Sequence, residues 1–202
     1  MKFDKIVIKN EGYISCKSNF YCAKDVLDMG SEYILHPGIN KLIGDIDSGN
    51  WAVSYLLSMY KNSPNDFVLF DEPSVVVNNH VISLNEVSEH ACYLDRVYPL
   101  FATDYTVKQL ILQGLEYSKL NFSYTDVKDM FQIDNDRFER SLASMGNEIF
   151  KAMSAIGFSY NKEIFCFPWL SSKRFNSYHR NLSVLLHILE KLGKIVIVPV
   201  GI

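Results

Sequence analysis

The chain has 202 residues and a formal net charge of −3, and 48% of its residues are hydrophobic. This length fits one domain that buries roughly 70% of the surface its unfolded chain exposes. The absence of a basic excess argues against a general nucleic-acid-binding protein. No apolar run reaches the ~18–20 residues needed to cross a bilayer, and residues 1–9 alternate like a strand rather than a signal peptide. We therefore expect a cytoplasmic protein.

The spacing of cysteines and histidines indicates neither a metal site nor a disulfide. The five histidines form no HExxH or HxH pattern, and no two cysteines form a CxxC pair. Cys92 and Cys166 lie in apolar segments without a nearby histidine, which argues against a nucleophile. Reduced and mostly buried thiols are expected at all four cysteines, which are Cys16, Cys22, Cys92 and Cys166.

The first half of the chain predicts strands and turns on either side of one helix. Residues 10–32 indicate strands and turns, and residues 52–60 predict a helix. Further strands are predicted over residues 3–9, 35–43, 67–70, 74–77 and 81–84. Residues 71–73 are interpreted as the turn of a hairpin between two of these strands.

The second half predicts helices, followed by two short buried strands. Thr106 is the expected N-cap of the first helix, and Gly157 and Gly193 are expected to end two others. Helices are predicted over residues 106–115, 124–131, 136–141, 148–156 and 182–192, and strands over 163–167 and 194–198. The last helix, between two apolar strands, predicts a βαβ unit of a parallel sheet.

Residues 44–51 have the spacing of a phosphate-binding loop. The sequence Gly-Asp-Ile-Asp-Ser-Gly-Asn-Trp matches G-x-x-x-x-G-K-[ST] at both glycines, but Asn50 replaces the lysine and Trp51 replaces the hydroxyl residue. The two glycines would let backbone N–H groups form an anion nest at a helix N-terminus. Asp45 and Asp47 place negative charge in the same loop.

The order of these segments resembles the nucleotide-binding domain of ABC transporters. The resemblance implies an α/β, P-loop NTPase-like fold with an ABC ATPase-type mixed sheet, an antiparallel β-subdomain and a helical subdomain. The whole chain, 1–202, would be a single such domain. Residues 1–103 and 157–202 would form the core and β-subdomain, and residues 104–156 the helical subdomain.

Five local matches, in the family's order, carry this resemblance. Residues 91–101, with Thr106-Val107 after them, resemble the Q-loop segment, and residues 164–167 and 195–198 resemble the Walker B and H-loop strands. The vestigial P-loop would comprise Gly44, Asp45, Ser48, Gly49, Asn50 and Trp51. The signature-like positions would be Ser144, Gly146, Asn147 and Glu148.

The remaining functional positions of the family hold unsuitable residues. Arg96 stands at the Q-loop glutamine, or Asp95 if the register shifts by one. Pro168 and Trp169 stand at the degenerate Walker B, where a Mg²⁺ ligand and the general base belong, and the H-loop histidine falls near Gly201. Because phosphoryl transfer depends on positioned charge, we expect no catalytic residue, no metal ligand and no required cofactor. ATP with Mg²⁺ is the alternative cofactor.

Several aromatic and acidic segments allow two interpretations. Asp71-Glu72-Pro73 resembles a Walker B end, but it lies too early in the chain, and a hairpin turn with solvated acids is favoured. Trp51 is expected to fill the empty phosphate site. Residues 165–169 would form either a filled core or an aromatic partner surface. Tyr13 or Tyr21 would stack on adenine, if they are not ordinary aromatics of the β-subdomain.

Three functions follow from the resemblance. The first is a pseudo-ATPase that acts as an interaction or regulatory subunit of a transport system. It would pair as a homodimer, or as a heterodimer with another ABC ATPase-type subunit, and could bind a membrane permease at the inner face of the membrane. The second is an active or weakly active ATPase of an ABC exporter. The third is a non-transport homodimeric binding protein that kept the fold.

Overall fold

The computed structural model describes residues 2–18, 23–101 and 104–202. Its strands are β1 (Ile6–Lys9), β2 (Ile14–Ser18), β3 (Ala23–Leu27), β4 (Glu32–Leu35), β5 (Gly38–Ile43), β6 (Phe67–Leu69), β7 (Ser74–Val77), β8 (His80–Ile82), β9 (Ala91–Tyr93), β10 (Ile164–Cys166) and β11 (Ile195–Val200). Its α-helices are α1 (Asn50–Met59), α2 (Leu84–Glu89), α3 (Val107–Ser118), α4 (Tyr124–Met130), α5 (Asn135–Phe138), α6 (Ile149–Ser159), α7 (Ser172–Ser177) and α8 (His179–Lys191).

A parallel sheet of four strands, in the order β5-β11-β10-β9, forms the centre of the molecule. Strand β11 pairs with β5 on one side and with β10 on the other, and residues 195–199 of this strand are buried. The predicted βαβ unit is confirmed, since α8 links the parallel strands β10 and β11. The carboxyl ends of these strands meet at one edge, where β5 leads into the glycine loop, residues 44–49.

The remaining strands form two antiparallel sheets, in the orders β4-β1-β7-β8 and β3-β2-β6. The predicted hairpin through residues 71–73 is wrong. Strand β6 pairs with β2, whereas β7 pairs with β1 and β8, so the segment between them crosses from one sheet to the other. Asp71 and Glu72 are exposed there, as expected, while Pro73 is buried.

The helix starts follow their capping residues. Thr106 caps α3 with a full capping box, in which its hydroxyl accepts the Gln109 N–H and the Gln109 side chain accepts the Thr106 N–H. Ser123 caps α4 in the same way through Asp126. Gly193, with φ +67°, follows the end of α8, which confirms the predicted stop.

Two predicted helices and one predicted strand need correction. Gly157 does not end α6, which continues to Ser159. The strand predicted over residues 81–84 ends at Ile82, because Ser83 caps α2, a helix that the hydrophobic pattern did not indicate. Helix α5 is also one turn, shorter than the predicted span 136–141. Among the described residues, no helix is long and apolar enough to cross a membrane.

Candidate functional site

The glycine loop lies between the carboxyl end of β5 and the N-terminus of α1, where a phosphate loop belongs. The Gly44 N–H donates to the Val200 carbonyl at 3.0 Å, which joins the loop to β11. The Ser48 hydroxyl donates to the Asp45 carbonyl at 2.6 Å and closes a local turn. Gly49 has φ +82°, a backbone conformation that favours glycine, and a Cβ there would lie 2.9 Å from the Val26 carbonyl oxygen. Both the backbone conformation and the close contact therefore disfavour any other residue at this position.

A carboxylate from strand β3 holds the N-terminus of α1. The Asp25 side chain accepts the Gly49 N–H and the Ala52 N–H, each at 2.8 Å, and the Val26 N–H at 2.9 Å. Asp25 is only 1% exposed. Free N–H groups at a helix N-terminus are what a phosphate group would use. In this chain, two of them are already bonded to an internal anion.

Burial raises the pKa of the Asp25 carboxyl above its ordinary value, with the Asp47 charge adding to the rise. The three backbone N–H donors act in the opposite direction, because they stabilise the ionised form. The sequence had no signal for this residue, which lies within the segment 10–32 predicted only as strands and turns.

Trp51 is turned into the core and does not face the loop. It is 2% exposed, and its indole Nε1–H donates to the Tyr93 hydroxyl at 3.0 Å. Its ring stacks on Tyr55 with ring centroids 4.9 Å apart. Tyr55 in turn donates its hydroxyl to Asp66 at 2.6 Å. The residue at the metal-hydroxyl position therefore belongs to a buried aromatic cluster.

Pro168 and Trp169 follow β10 and face the glycine loop. The Trp169 Nε1–H donates to the Gly44 carbonyl at 3.2 Å. The Trp169 ring lies against Gly201, where a Cβ would approach it within 2.6 Å. Both residues are half-buried. Trp169 thus occupies the space between the start of the loop and the end of β11, and neither residue presents an oxygen ligand from its side chain.

Arg96 connects the segment after β9 to the helical region. Its guanidinium Nη2–H donates to the Ala143 carbonyl at 3.2 Å, although the residue is exposed. The Asp95 side chain accepts the Val97 N–H at 3.3 Å and so closes a local turn. Neither side chain replaces the uncharged, metal-orienting glutamine of the family pattern.

The signature-like segment, residues 144–148, lies in two short 3-10 helices before α6. Ser144, Gly146 and Asn147 are exposed, and Gly146 has φ +53°. Glu148 Oε2 is buried, 3.8 Å from Arg137 Nε, in an ion pair without a hydrogen bond. The exposed part of the segment is available for contact with another molecule.

Five of the residues singled out from the sequence line one cavity of about 530 Å³ at the loop edge of the sheet. They are Trp51, Asp95, Arg96, Pro168 and Trp169. The signature-like residues do not line it, but the first residues of α6, Ile149 and Phe150, do.

The other candidate residues lie elsewhere. Tyr13 packs edge-on against Phe70, at 5.7 Å between ring centroids, and Tyr21 and Cys22 are outside the described residues. Cys16, Cys92 and Cys166 are buried, and burial raises the pKa of each thiol. Protonated, enclosed thiols are poor nucleophiles. Among the described residues, no group of three His, Cys, Asp or Glu side chains could hold a metal ion.

No protein-family model matches the sequence, and no curated protein matches it. Solved structures do match the fold. An ABC transporter ATP-binding protein from Pyrococcus furiosus superposes with a TM-score of 0.64 and 13% identity, over 98% of this chain and 91% of that one. A dimeric post-hydrolysis structure of an ATP-binding cassette bound to ADP and Pi superposes with a TM-score of 0.62 and 10% identity, over 97% of this chain and 87% of that one.

A third match is a bacterial Atm1-family ABC exporter with ATP bound, with a TM-score of 0.59 and 11% identity. It covers 99% of this chain but only 34% of the exporter chain. The predicted fold class is confirmed: the chain has the α/β fold of ABC transporter ATP-binding domains.

Proposed function

We propose that this chain is a catalytically degenerate ABC-type subunit, a pseudo-ATPase that acts as an interaction or regulatory partner in a transport system. The observation that carries the proposal is the Asp25 carboxylate on the Gly49 and Ala52 N–H groups. An incoming phosphate would have to displace a buried anion that is part of the fold. Two anions at one helix N-terminus repel each other, so retention of Asp25 disfavours a bound phosphate.

The side chains around the loop support the same proposal. Asn50 donates its amide to the Ser48 hydroxyl at 3.0 Å and brings no positive charge for a phosphate. Trp51 is enclosed by Tyr93 and Tyr55 and offers no oxygen to Mg²⁺. Mg-ATP therefore fits the residues of this loop poorly, and we assign no step of phosphoryl transfer to them.

The exposed signature-like segment supports a role in contacts between subunits. In the family resemblance, this segment faces the phosphate loop of a second ATPase domain. Ser144, Gly146 and Asn147 are accessible for that contact, in a homodimer or in a heterodimer with another ABC ATPase-type subunit. In the heterodimer, a chain without its own site would complete the site of an active partner. A membrane permease would then hold the pair at the inner face of the membrane.

The similarity to an exporter with bound ATP favours a second candidate, an active or weakly active exporter ATPase. This candidate requires the Asp25 carboxylate to leave the N-terminus of α1 when nucleotide arrives. It also requires the cleavage reaction to proceed without lysine, metal hydroxyl or Walker B acid. Direct measurement of binding and hydrolysis separates the two candidates.

Calorimetric titration of the purified chain with Mg-ATP up to 1 mM, about the upper end of common enzyme KM values, is the first test. We expect no Mg²⁺-dependent binding and no hydrolysis above background. Asn50→Lys alone should not restore hydrolysis, because Trp51, Pro168 and Trp169 remain. Micromolar, Mg²⁺-dependent binding would overturn the proposed degenerate site, and hydrolysis by Asn50→Lys would show that the Walker B assignment is wrong.

The transport role needs a separate test. We expect the tagged full chain, expressed in its own host, to co-purify with a membrane permease or with an intact ATPase subunit. Recovery of a stable homodimer with neither partner would favour the non-transport binding protein instead.

A further inference from the structure

The cavity at the loop edge has fixed aromatic walls. The Trp169 ring is oriented by its hydrogen bond to the Gly44 carbonyl. Phe150 is held by Phe167, at 5.2 Å between ring centroids, and by Tyr178 at 5.6 Å and 82°. Trp51 and Tyr93 form a buried floor, with the indole N–H satisfied by the tyrosine hydroxyl. Since these rings are already positioned, an aromatic guest would pack against them without ordering new side chains.

The size and lining of the cavity fit a small organic molecule. Its volume of about 530 Å³ lies within the range of ligand pockets, roughly 300–1,000 Å³, which are mostly apolar with a few polar groups. Met153 and Leu170, both nearly fully buried, complete the apolar lining. An unbranched methionine lets such a lining adapt to the shape of a guest.

The charged groups of the lining favour an anion. Arg96, Arg174 and Asp95 are the charged residues among the described lining residues, so the lining carries one net positive charge. Arg96 is positioned by its bond to the Ala143 carbonyl, and Asp95 is engaged by the Val97 N–H. The Arg174 guanidinium has no hydrogen-bond or ion-pair partner within residues 2–18, 23–101 and 104–202. It is therefore available to a carboxylate, whose geometry its two parallel N–H groups match.

We propose that this cavity binds a small aromatic carboxylate, with its ring between Trp169 and Phe150 and its carboxylate on Arg174. The nucleotide site of the fold would thereby have become a site for an effector that a pseudo-ATPase could sense. The effector role rests on the proposed function, but binding in the cavity does not.

Naphthalene-2-carboxylate and its uncharged isostere naphthalene-2-carboxamide are suitable probes. We expect calorimetry to detect binding of both probes. The carboxylate should bind about 5- to 10-fold more tightly than the carboxamide, because a charge-assisted hydrogen bond to Arg174 adds to the same ring contact. The chain has two tryptophans, Trp51 and Trp169, and both line the cavity. Binding should therefore change the intrinsic tryptophan fluorescence.

Matched variants locate the binding. Arg174→Gln should lower the affinity for the carboxylate about 5-fold, to a value close to the affinity for the carboxamide. The affinity for the carboxamide itself should not change. Arg180→Gln removes an exposed arginine that is not part of the lining and should change neither affinity. Ile46 lines the cavity and is 40% exposed, so we expect the fold to tolerate Ile46→Trp. The larger side chain should reduce the space in the cavity and lower the affinity for both probes.

Failure of both probes to bind at millimolar concentration would overturn the proposal. The proposal would also be overturned if Arg174→Gln and Arg180→Gln lowered the affinity for the carboxylate equally. The same holds if Arg174→Gln lowered the affinities for the carboxylate and the carboxamide equally. The Mg-ATP titration is an independent readout. Nucleotide binding with intact carboxylate binding would contradict the degenerate-site proposal and leave the cavity assignment standing.

Discussion

At the scale of single residues, one aspartate determines how the glycine loop is used. The Gly44 and Gly49 positions still shape a turn that leads into a helix N-terminus, and this is the geometry that attracts anions. Asp25 reaches that N-terminus from another sheet and bonds to the Gly49 and Ala52 N–H groups. The loop is thus stabilised from within the protein, and these two N–H groups need no ligand as an acceptor.

Asp25→Ala tests this role of the carboxylate. The substitution removes the acceptor of the buried Gly49 and Ala52 N–H groups and of the part-buried Val26 N–H, which we expect to cost about 2–4 kcal/mol of the free energy of unfolding. Urea denaturation at pH 7 measures the loss. Asp28→Ala is the matched control, since Asp28 is exposed on the same segment and should cost under ~0.5 kcal/mol. Similar losses in the two variants would contradict the capping role.

The raised pKa of Asp25 predicts how the stability difference between wild type and Asp25→Ala depends on pH. The folded state then binds the proton more tightly than the unfolded chain, so stability linked to this group falls as pH rises through the folded pKa. The difference in unfolding free energy between wild type and Asp25→Ala should therefore decrease from about pH 3.9, the ordinary aspartate pKa, upward. If this difference increased with pH instead, the backbone N–H donors would lower the pKa of Asp25 by more than burial raises it.

At the scale of elements, helix α6 illustrates how packing overrides a local stop signal. Gly157 lies in the helix because the helix passes closely over β9 and β10 there. A Cβ at Gly157 would be 2.9 Å from Cys92 Sγ and 3.0 Å from the Phe165 ring. The glycine therefore permits the close approach of helix and sheet that forms one wall of the cavity region.

Gly157→Ala tests the close approach. In an exposed helix this change would stabilise by about 1 kcal/mol, but here overpacking should destabilise the fold by about 1–3 kcal/mol. Combining it with Cys92→Ala removes the nearest side-chain atom, and thermal or urea unfolding should show that the two losses are less than additive. Strict additivity would mean that the helix does not approach the sheet as closely as described.

At the scale of the whole molecule, the central sheet combines segments from distant parts of the chain. Strand β11, near the end of the described chain, lies between β5 and β10 with residues 195–199 buried. Strand β8 is an edge strand with His80 and Val81 exposed. Opening of β8 breaks one ladder, whereas opening of β11 breaks two and divides the core.

Native-state hydrogen exchange should rank these strands. Amides of β11 should exchange most slowly, close to the rate set by global unfolding, and those of β8 at least about 100-fold faster. Measurement by NMR or by mass spectrometry of peptides provides the comparison. Equal protection in both strands would contradict a core centred on β11.

The sequence by itself determined the elements whose signals are local. Thr106 predicted the start of α3, and Gly193 the stop after α8, because caps act on adjacent backbone groups. The two apolar strands around α8 predicted a parallel βαβ unit, and the order of the segments predicted the fold class. The unsuitable residues at Asn50 and Trp51 were also visible in the chain itself.

Only the tertiary structure decided what these residues touch. Nothing near Asp25 in the sequence relates it to Gly49, since their contact depends on how β3 lies against α1. The strand partners of β6 and β7, and the continuation of α6 through Gly157, were predicted wrongly because both depend on neighbours distant in the chain. Local patterns determine elements, whereas burial and pairing between distant segments determine how those elements share a site.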